Sequence, residues 1–136
     1  MIQLVIDAGV PRFMGILSIS DGLYTPYYER SAGKAIERIR AADQVITFNG
    51  NRYDLTGRGA FPELQNLPET VTDIDMMGIC WCADHKLFGK GLKDINLLLF
   101  GSLPFFPDTY EGDNERDCRM TLKLFQSWQV GQLRAS

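Results

Sequence analysis

Hydrophobic and polar positions change period several times along the chain, and each change marks an element. Gln3 to Ile6 is apolar and partly β-branched, stops at Asp7, and is followed by the breakers Gly9 and Pro11, which predicts a strand and a turn. Met14 to Ser20 alternates from Ile16 on, Asp21-Gly22 suits a tight turn with positive φ, and Leu23 to Tyr28 continues beyond it. These two runs predict a hairpin and, with the first segment, an antiparallel meander of three strands.

The period then lengthens. Ser31 is placed to cap a helix whose apolar positions Ala35, Ile36 and Ile39 lead to Ala41 and Ala42, with Lys34, Arg38 and Arg40 polar around them. Val45-Ile46-Thr47-Phe48 is a short β-branched strand ending at Asn49-Gly50, so the intervening helix implies a crossover and a parallel strand beside the first. Pro62 and Pro68 break the next stretch; Val71 to Ile74 suits a further short strand, Asp75 to Trp81 the start of a helix, and Gly91 to Gly101 a short helix ended by glycine. Asn114 is expected to open the last helix, with Cys118, Leu122, Phe125 and Trp128 as its apolar stripe. The succession is that of an α/β domain with a mixed sheet.

Composition narrows the chemistry. A length of 136 residues leaves room for one core, and residues 1–136 are expected to form a single domain. Fourteen Lys and Arg against seventeen Asp and Glu give a net charge of −3, which argues against a protein that holds nucleic acid mainly by bulk positive charge. No apolar run approaches the roughly twenty residues that span a bilayer, and the first residues lack the basic region and cleavage site of a signal peptide, so a cytoplasmic location without membrane contact is expected. The single histidine, His85, disfavours serine–histidine triads and histidine-rich metal sites. Cys80, Cys82, His85 and Cys118 would suffice for a tetrahedral zinc, but the Cys80-Trp81-Cys82 spacing is tighter than usual and Cys118 fits the core stripe, which favours buried free cysteines. Carboxylates are the abundant reactive groups.

Three of them open or terminate elements. Asp7 ends the first strand, Asp54 comes after the strand and turn through Tyr53, and Asp117 is expected in the first turn of the last helix. Strand ends are where ligands of α/β sheets gather, and converging carboxylates would bind Mg²⁺ or Mn²⁺, hard cations that prefer oxygen. Two such ions can activate water and stabilise the leaving oxygen of a phosphodiester. The same positions also suit local roles: Asp7 beginning a turn, Asp54 capping a short helix, and Asp117 completing a cap with Asn114.

The local strings weigh on that choice. Phe48-Asn49-Gly50-Asn51-Arg52-Tyr53-Asp54-Leu55 resembles the second motif of the ribonuclease H-like 3′-5′ exonucleases, and Asp117-Cys118-Arg119-Met120-Thr121 resembles their third. Thr72-Asp73-Ile74-Asp75-Met76-Met77 and Gly91-Leu92-Lys93-Asp94-Ile95 are similar to the aspartate strand and short helix lying between those motifs. The resemblance runs in order from Ile2 to about Trp128. It implies a ribonuclease H-like fold, with three antiparallel strands, then parallel ones, and helices on both faces. It also implies Asp7, Asp54 and Asp117 as ligands of two Mg²⁺ or Mn²⁺ ions, and hydrolysis of a phosphodiester at the single-stranded end of DNA or RNA.

Two departures qualify it. Where the first motif of that family has a glutamate two residues after its aspartate, this chain has Gly9, and where the third has a tyrosine four or a histidine five residues before its aspartate, this chain has Asp113 and Gly112. Asp113 would share a helix face with Asp117 if the helix extends that far, and could then hold the attacking water; otherwise Asp113 and Glu115 decorate a helix start. Asn49 and Arg52 in the second motif, and Lys90 and Lys93 with Lys86 nearby, are the candidate substrate contacts, solvated surface charge being the alternative for the lysines. Phe105 and Phe106, between Pro104 and Pro107, suit either stacking on an unpaired base or stapling a loop to the core, the second being favoured. A degenerate nuclease fold that binds nucleic acid, a protein partner or a second copy of itself is the competing expectation.

Overall fold

The computed structural model describes residues 1–50 and 61–135. Five strands form one mixed sheet in the order β3-β2-β1-β4-β5. The strands are β1 (Gln3–Gly9), β2 (Phe13–Ser18), β3 (Tyr24–Tyr27), β4 (Gln44–Thr47) and β5 (Thr72–Asp75); the helices are α1 (Ala32–Arg40), α2 (Met76–Ala83), α3 (Leu92–Phe100) and α4 (Tyr110–Gln129). The expected meander is present: β1 runs antiparallel to β2 and β2 to β3, while β4 and β5 join β1 in parallel. Gly22, in the β2–β3 turn, has φ +72°, the left-handed conformation expected of that position.

Side-chain alternation along β1 divides the core into two layers. Leu4 and Ile6 pack with Met14 and Ile16 against Ala32, Ala35 and Ile39 of α1. Val5, Leu17 and Ile46 point to the other face, where they meet Met76 and Cys80 of α2, Ile95 of α3, and Cys118, Leu124 and Phe125 of α4. Helices therefore cover both faces, and burying a side chain such as Ile46 contributes about 1.5–3 kcal/mol. Among the described residues no helix is long and apolar enough to cross a membrane.

Several local expectations are corrected. Ser31 makes no side-chain cap to α1; its hydroxyl instead accepts the Tyr28 N–H at 3.0 Å, closing a single turn of 3₁₀ helix ahead of α1. The last helix begins at Tyr110 and not at Asn114, because the Thr109 hydroxyl accepts the Gly112 N–H and provides the N-cap. Of the expected stripe, Cys118 and Phe125 are buried and Leu122 packs against the same layer, whereas Trp128 is exposed near the helix end; Thr121 and Leu124 are buried as well. The loop carrying Phe105 is not stapled by it, for Phe105 is 93% exposed. Cys80 and Cys118 are buried as expected, but Cys82 faces solvent.

Candidate active site

The site is assembled at the carboxyl ends of β1 and β4. Asp7 lies two residues beyond Val5 and so points to the face covered by α4; it sits within β1, paired with Gly15 of β2, and does not begin a turn. Asp117 lies two turns into α4, away from the positive helix end, so the capping role open to it in the sequence does not apply. Thr121, one turn further on, is buried and donates its hydroxyl to the Asp117 carbonyl at 2.9 Å. Asp7 and Asp117 line one cleft of about 380 Å³, whose wall also includes Asn49, Met77, Trp81 and Lys90.

Local bonds shape that wall. Two residues beyond β4 the chain turns through a left-handed residue, Asn49 at φ +69°, a conformation that Asn tolerates better than most side chains. Its N–H donates to Asp75 Oδ1 at 2.8 Å, and the same oxygen accepts the Met77 N–H at 3.0 Å, so Asp75 caps α2 and ties it to the end of β4. The Trp81 indole N–H donates to the Lys90 carbonyl at 2.9 Å and holds the loop before α3 at the rim. Lys93 lines an adjoining recess with Asp117. Lys86 lies exposed in the single 3₁₀ turn between α2 and α3 and does not line the cleft. Arg52 and Asp54 lie outside the described residues.

On the other side of Asp7 and Asp117 a second hollow is lined by Gly9, Tyr110, Asp113 and Asn114. Because α4 reaches back to Tyr110, Asp113 does share a face with Asp117. Arg116 lies between them, 3.6 Å from Asp113 and 3.8 Å from Asp117. Burial pushes the Asp117 carboxyl above its ordinary range; Arg116 and Lys93 act against that shift, and the like charge of Asp113 adds to it.

Gly9 has a physical explanation. A Cβ built there would lie 1.9 Å from the Tyr110 hydroxyl, which donates to the Val10 carbonyl at 2.9 Å and whose ring meets Phe13 edge to face. The volume that a glutamate at position 9 would start from is filled by Tyr110.

Two partly buried carboxylates facing one cleft fit an oxygen-preferring dication such as Mg²⁺ or Mn²⁺. Among the described residues, no group of three or more His, Cys, Asp or Glu is gathered as a metal site. Among the described residues the carboxylates lining the cleft are Asp7 and Asp117. Cys80 and Cys118 are buried while Cys82 and His85 are exposed, so the four do not form a zinc cluster. The pattern along the chain gave no sign of Asn114, Tyr110 or Arg116 as parts of this site; Asn114 is buried and reaches Asp7 across the core. No known protein family, curated protein or solved structure matches the chain.

Proposed function

We propose that the chain is a metal-dependent nuclease of the ribonuclease H-like, 3′-5′ exonuclease type, hydrolysing a terminal phosphodiester of single-stranded nucleic acid. The observation that carries this is the meeting of Asp7, from the first strand, with Asp117, from the last helix, in one cleft at the carboxyl ends of β1 and β4. The mixed sheet with a three-stranded antiparallel start and helices on both faces supports the same assignment.

Asp7 and Asp117 would hold Mg²⁺ or Mn²⁺, with Asp54 as the third ligand that the motif resemblance implies. The bound ion supplies water activation and stabilisation of the departing oxygen. Lys90 and Lys93, at the rim beside the carboxylates, draw in the phosphate, and Asn49 and Arg52 are assigned to the nucleotide. Asp113 is assigned to orient the attacking water from the neighbouring hollow. Water adds to phosphorus, the bond from phosphorus to the 3′ oxygen breaks, and that oxygen takes a proton, leaving a shortened strand and a nucleoside monophosphate.

One observation favours a second function, a catalytically degenerate module that binds nucleic acid or a protein partner. Tyr110 occupies the space a first-motif glutamate would need, which removes a carboxylate normally shared between two ions. Labelled single-stranded DNA and RNA with Mn²⁺ separate the two, tested beside Asp7→Ala and Asp54→Ala, Asp117→Ala variants. Shortening of either strand that is lost in the variants supports the nuclease. Strand binding without shortening, or shortening that persists unchanged in the variants, refutes it.

A further inference from the structure

Asn114 is a polar side chain where the surroundings call for an apolar one. It lies on the inward face of α4, only 6% exposed, one turn before the buried Cys118. A buried amide is costly unless its hydrogen bonds are made, and a leucine there would carry no such requirement. Its bonds account for the choice. Asn114 Nδ2 donates to the Asp7 carbonyl at 2.9 Å and to Asp7 Oδ2 at 3.2 Å, while Asn114 Oδ1 accepts the Tyr24 hydroxyl at 2.7 Å.

The orientation of the amide is dictated by its neighbours. Turned over, its oxygen would face the carbonyl and carboxylate of Asp7, acceptor against acceptor. Burial raises the pKa of the Tyr24 phenol, which therefore keeps its proton and can donate it to Oδ1. Gly15 completes the arrangement, since a Cβ at that position would lie 1.7 Å from Asn114 Oδ1. Residues of β1, β2, β3 and α4 thus converge on one amide, and the group it grips is Asp7.

We propose that Asn114, held by Tyr24, is a positioning residue that fixes the carboxylate of Asp7 toward the cleft. The inference rests on the assignment of Asp7 as a cation ligand and deepens it. Bonds to one carboxylate oxygen and to the same residue's carbonyl restrict rotation of the Asp7 side chain, so the ligand is oriented before the cation arrives. Partners of this kind are worth about 10- to 100-fold in metal affinity or activity.

The test uses the full chain with Mn²⁺ as the probe, free Mn²⁺ being read by electron paramagnetic resonance. Asp7→Ala is expected to abolish binding, Asn114→Leu to weaken it about tenfold, and Tyr24→Phe, which keeps the amide but loosens it, to weaken it by a smaller factor. Nuclear magnetic resonance gives a readout without metal and without altering Asn114: the Asn114 side-chain N–H₂ should exchange slowly with solvent in the native chain and faster in Asp7→Ala. Equal Mn²⁺ affinity in wild type and Asp7→Ala overturns the ligand assignment and this inference with it. Binding lost in Asp7→Ala but unchanged in Tyr24→Phe and in folded Asn114→Leu overturns this inference alone, as does an Asn114 amide whose exchange ignores the Asp7 substitution.

Discussion

Gly15→Ala adds one methyl group to the middle of β2 and should be among the more damaging single substitutions in the protein. In a strand the direction of Cβ is fixed by the backbone, so the new carbon has no freedom to turn aside. It would lie 1.7 Å from Asn114 Oδ1, 2.8 Å from Asn114 Cγ and 2.8 Å from the Tyr24 hydroxyl, whereas real Cβ atoms essentially never come within 3.0 Å of such neighbours. The amide must therefore retreat by more than an ångström. Its bonds to Asp7 at 2.9 and 3.2 Å and from Tyr24 at 2.7 Å cannot survive that movement together. Each is worth roughly 0.5–1.5 kcal/mol net, and groups left buried without partners add to the loss. Alanine restricts the unfolded chain and returns roughly 0.5–1 kcal/mol. The expected cost is about 2–4 kcal/mol, a large part of the 5–15 kcal/mol typical of a domain.

A double-mutant cycle isolates the cause. In an Asn114→Ala background the two atoms of the Asn114 amide group that obstruct the new carbon are gone, and the Tyr24 hydroxyl at 2.8 Å lies at the end of a side chain that can yield, so Gly15→Ala should cost about 1 kcal/mol or less there. Urea unfolding monitored by circular dichroism measures all four corners. A Gly15→Ala cost that is equal in the two backgrounds, or below about 1 kcal/mol in the wild type, would refute the steric and hydrogen-bonding account.

Asp117, whose carboxyl is held above its ordinary range by burial, keeps its proton more tightly folded than unfolded; stability should therefore fall as pH rises from about 4 through the raised pKa, and Asp117→Asn should flatten that limb of a thermal-unfolding profile. An unchanged slope in the variant would contradict this. Asp84 has the opposite sign: the Lys86 and Ala135 N–H groups hold its carboxyl below the usual range, so its contribution is present above the unfolded pKa and lost as pH falls through the folded one. Asp84→Ala should accordingly speed hydrogen exchange at the Ala135 amide, and exchange that stays slow would show that the C-terminal residues are held by other contacts. Ellman's reagent should modify one thiol quickly in the native protein, the exposed Cys82, because Cys80 is buried with its thiol pushed up to about 12 and Cys118 is buried too. Two or more fast thiols without denaturant would be inconsistent with this core.

The fold was legible wherever one face of an element decides its period. β1, β2 and β4 combine β-branched or alternating apolar residues with turn signals, and the crossover through α1 leaves a parallel partner as the natural arrangement. The start of α4 was not legible for a specific reason. Asn114 is a favoured capping residue, but Thr109 is another, and the turn that Thr109 caps, Tyr110 to Asp113, buries only Gly112, with no apolar stripe to announce it. Phe105 misled in the opposite sense, since an aromatic pair between prolines suggests anchorage although one ring is solvated.

The candidate carboxylates Asp7 and Asp117 were singled out from the chain by their local strings, although neither sits at an element end, whereas their neighbours in the fold could not be. Asn114 meets Asp7 across 107 residues of sequence, and a bond between side chains on a strand and a helix leaves no periodic trace in either. A weaker signal was nonetheless present. Gly15 interrupts the apolar run Phe13-Met14-Gly15-Ile16-Leu17, and a lone glycine inside a strand marks a place where something approaches closely. Gly9, at the end of β1, marks another, with Tyr110 in the space above it. The two glycines flank Asp7 in the sheet, Gly15 as its cross-strand partner and Gly9 two residues along, and both admit side chains from α4. Strand glycines beside a candidate ligand thus point to the helix that supports it, and here they lead to Asn114 and Tyr110 on the same helix as Asp117.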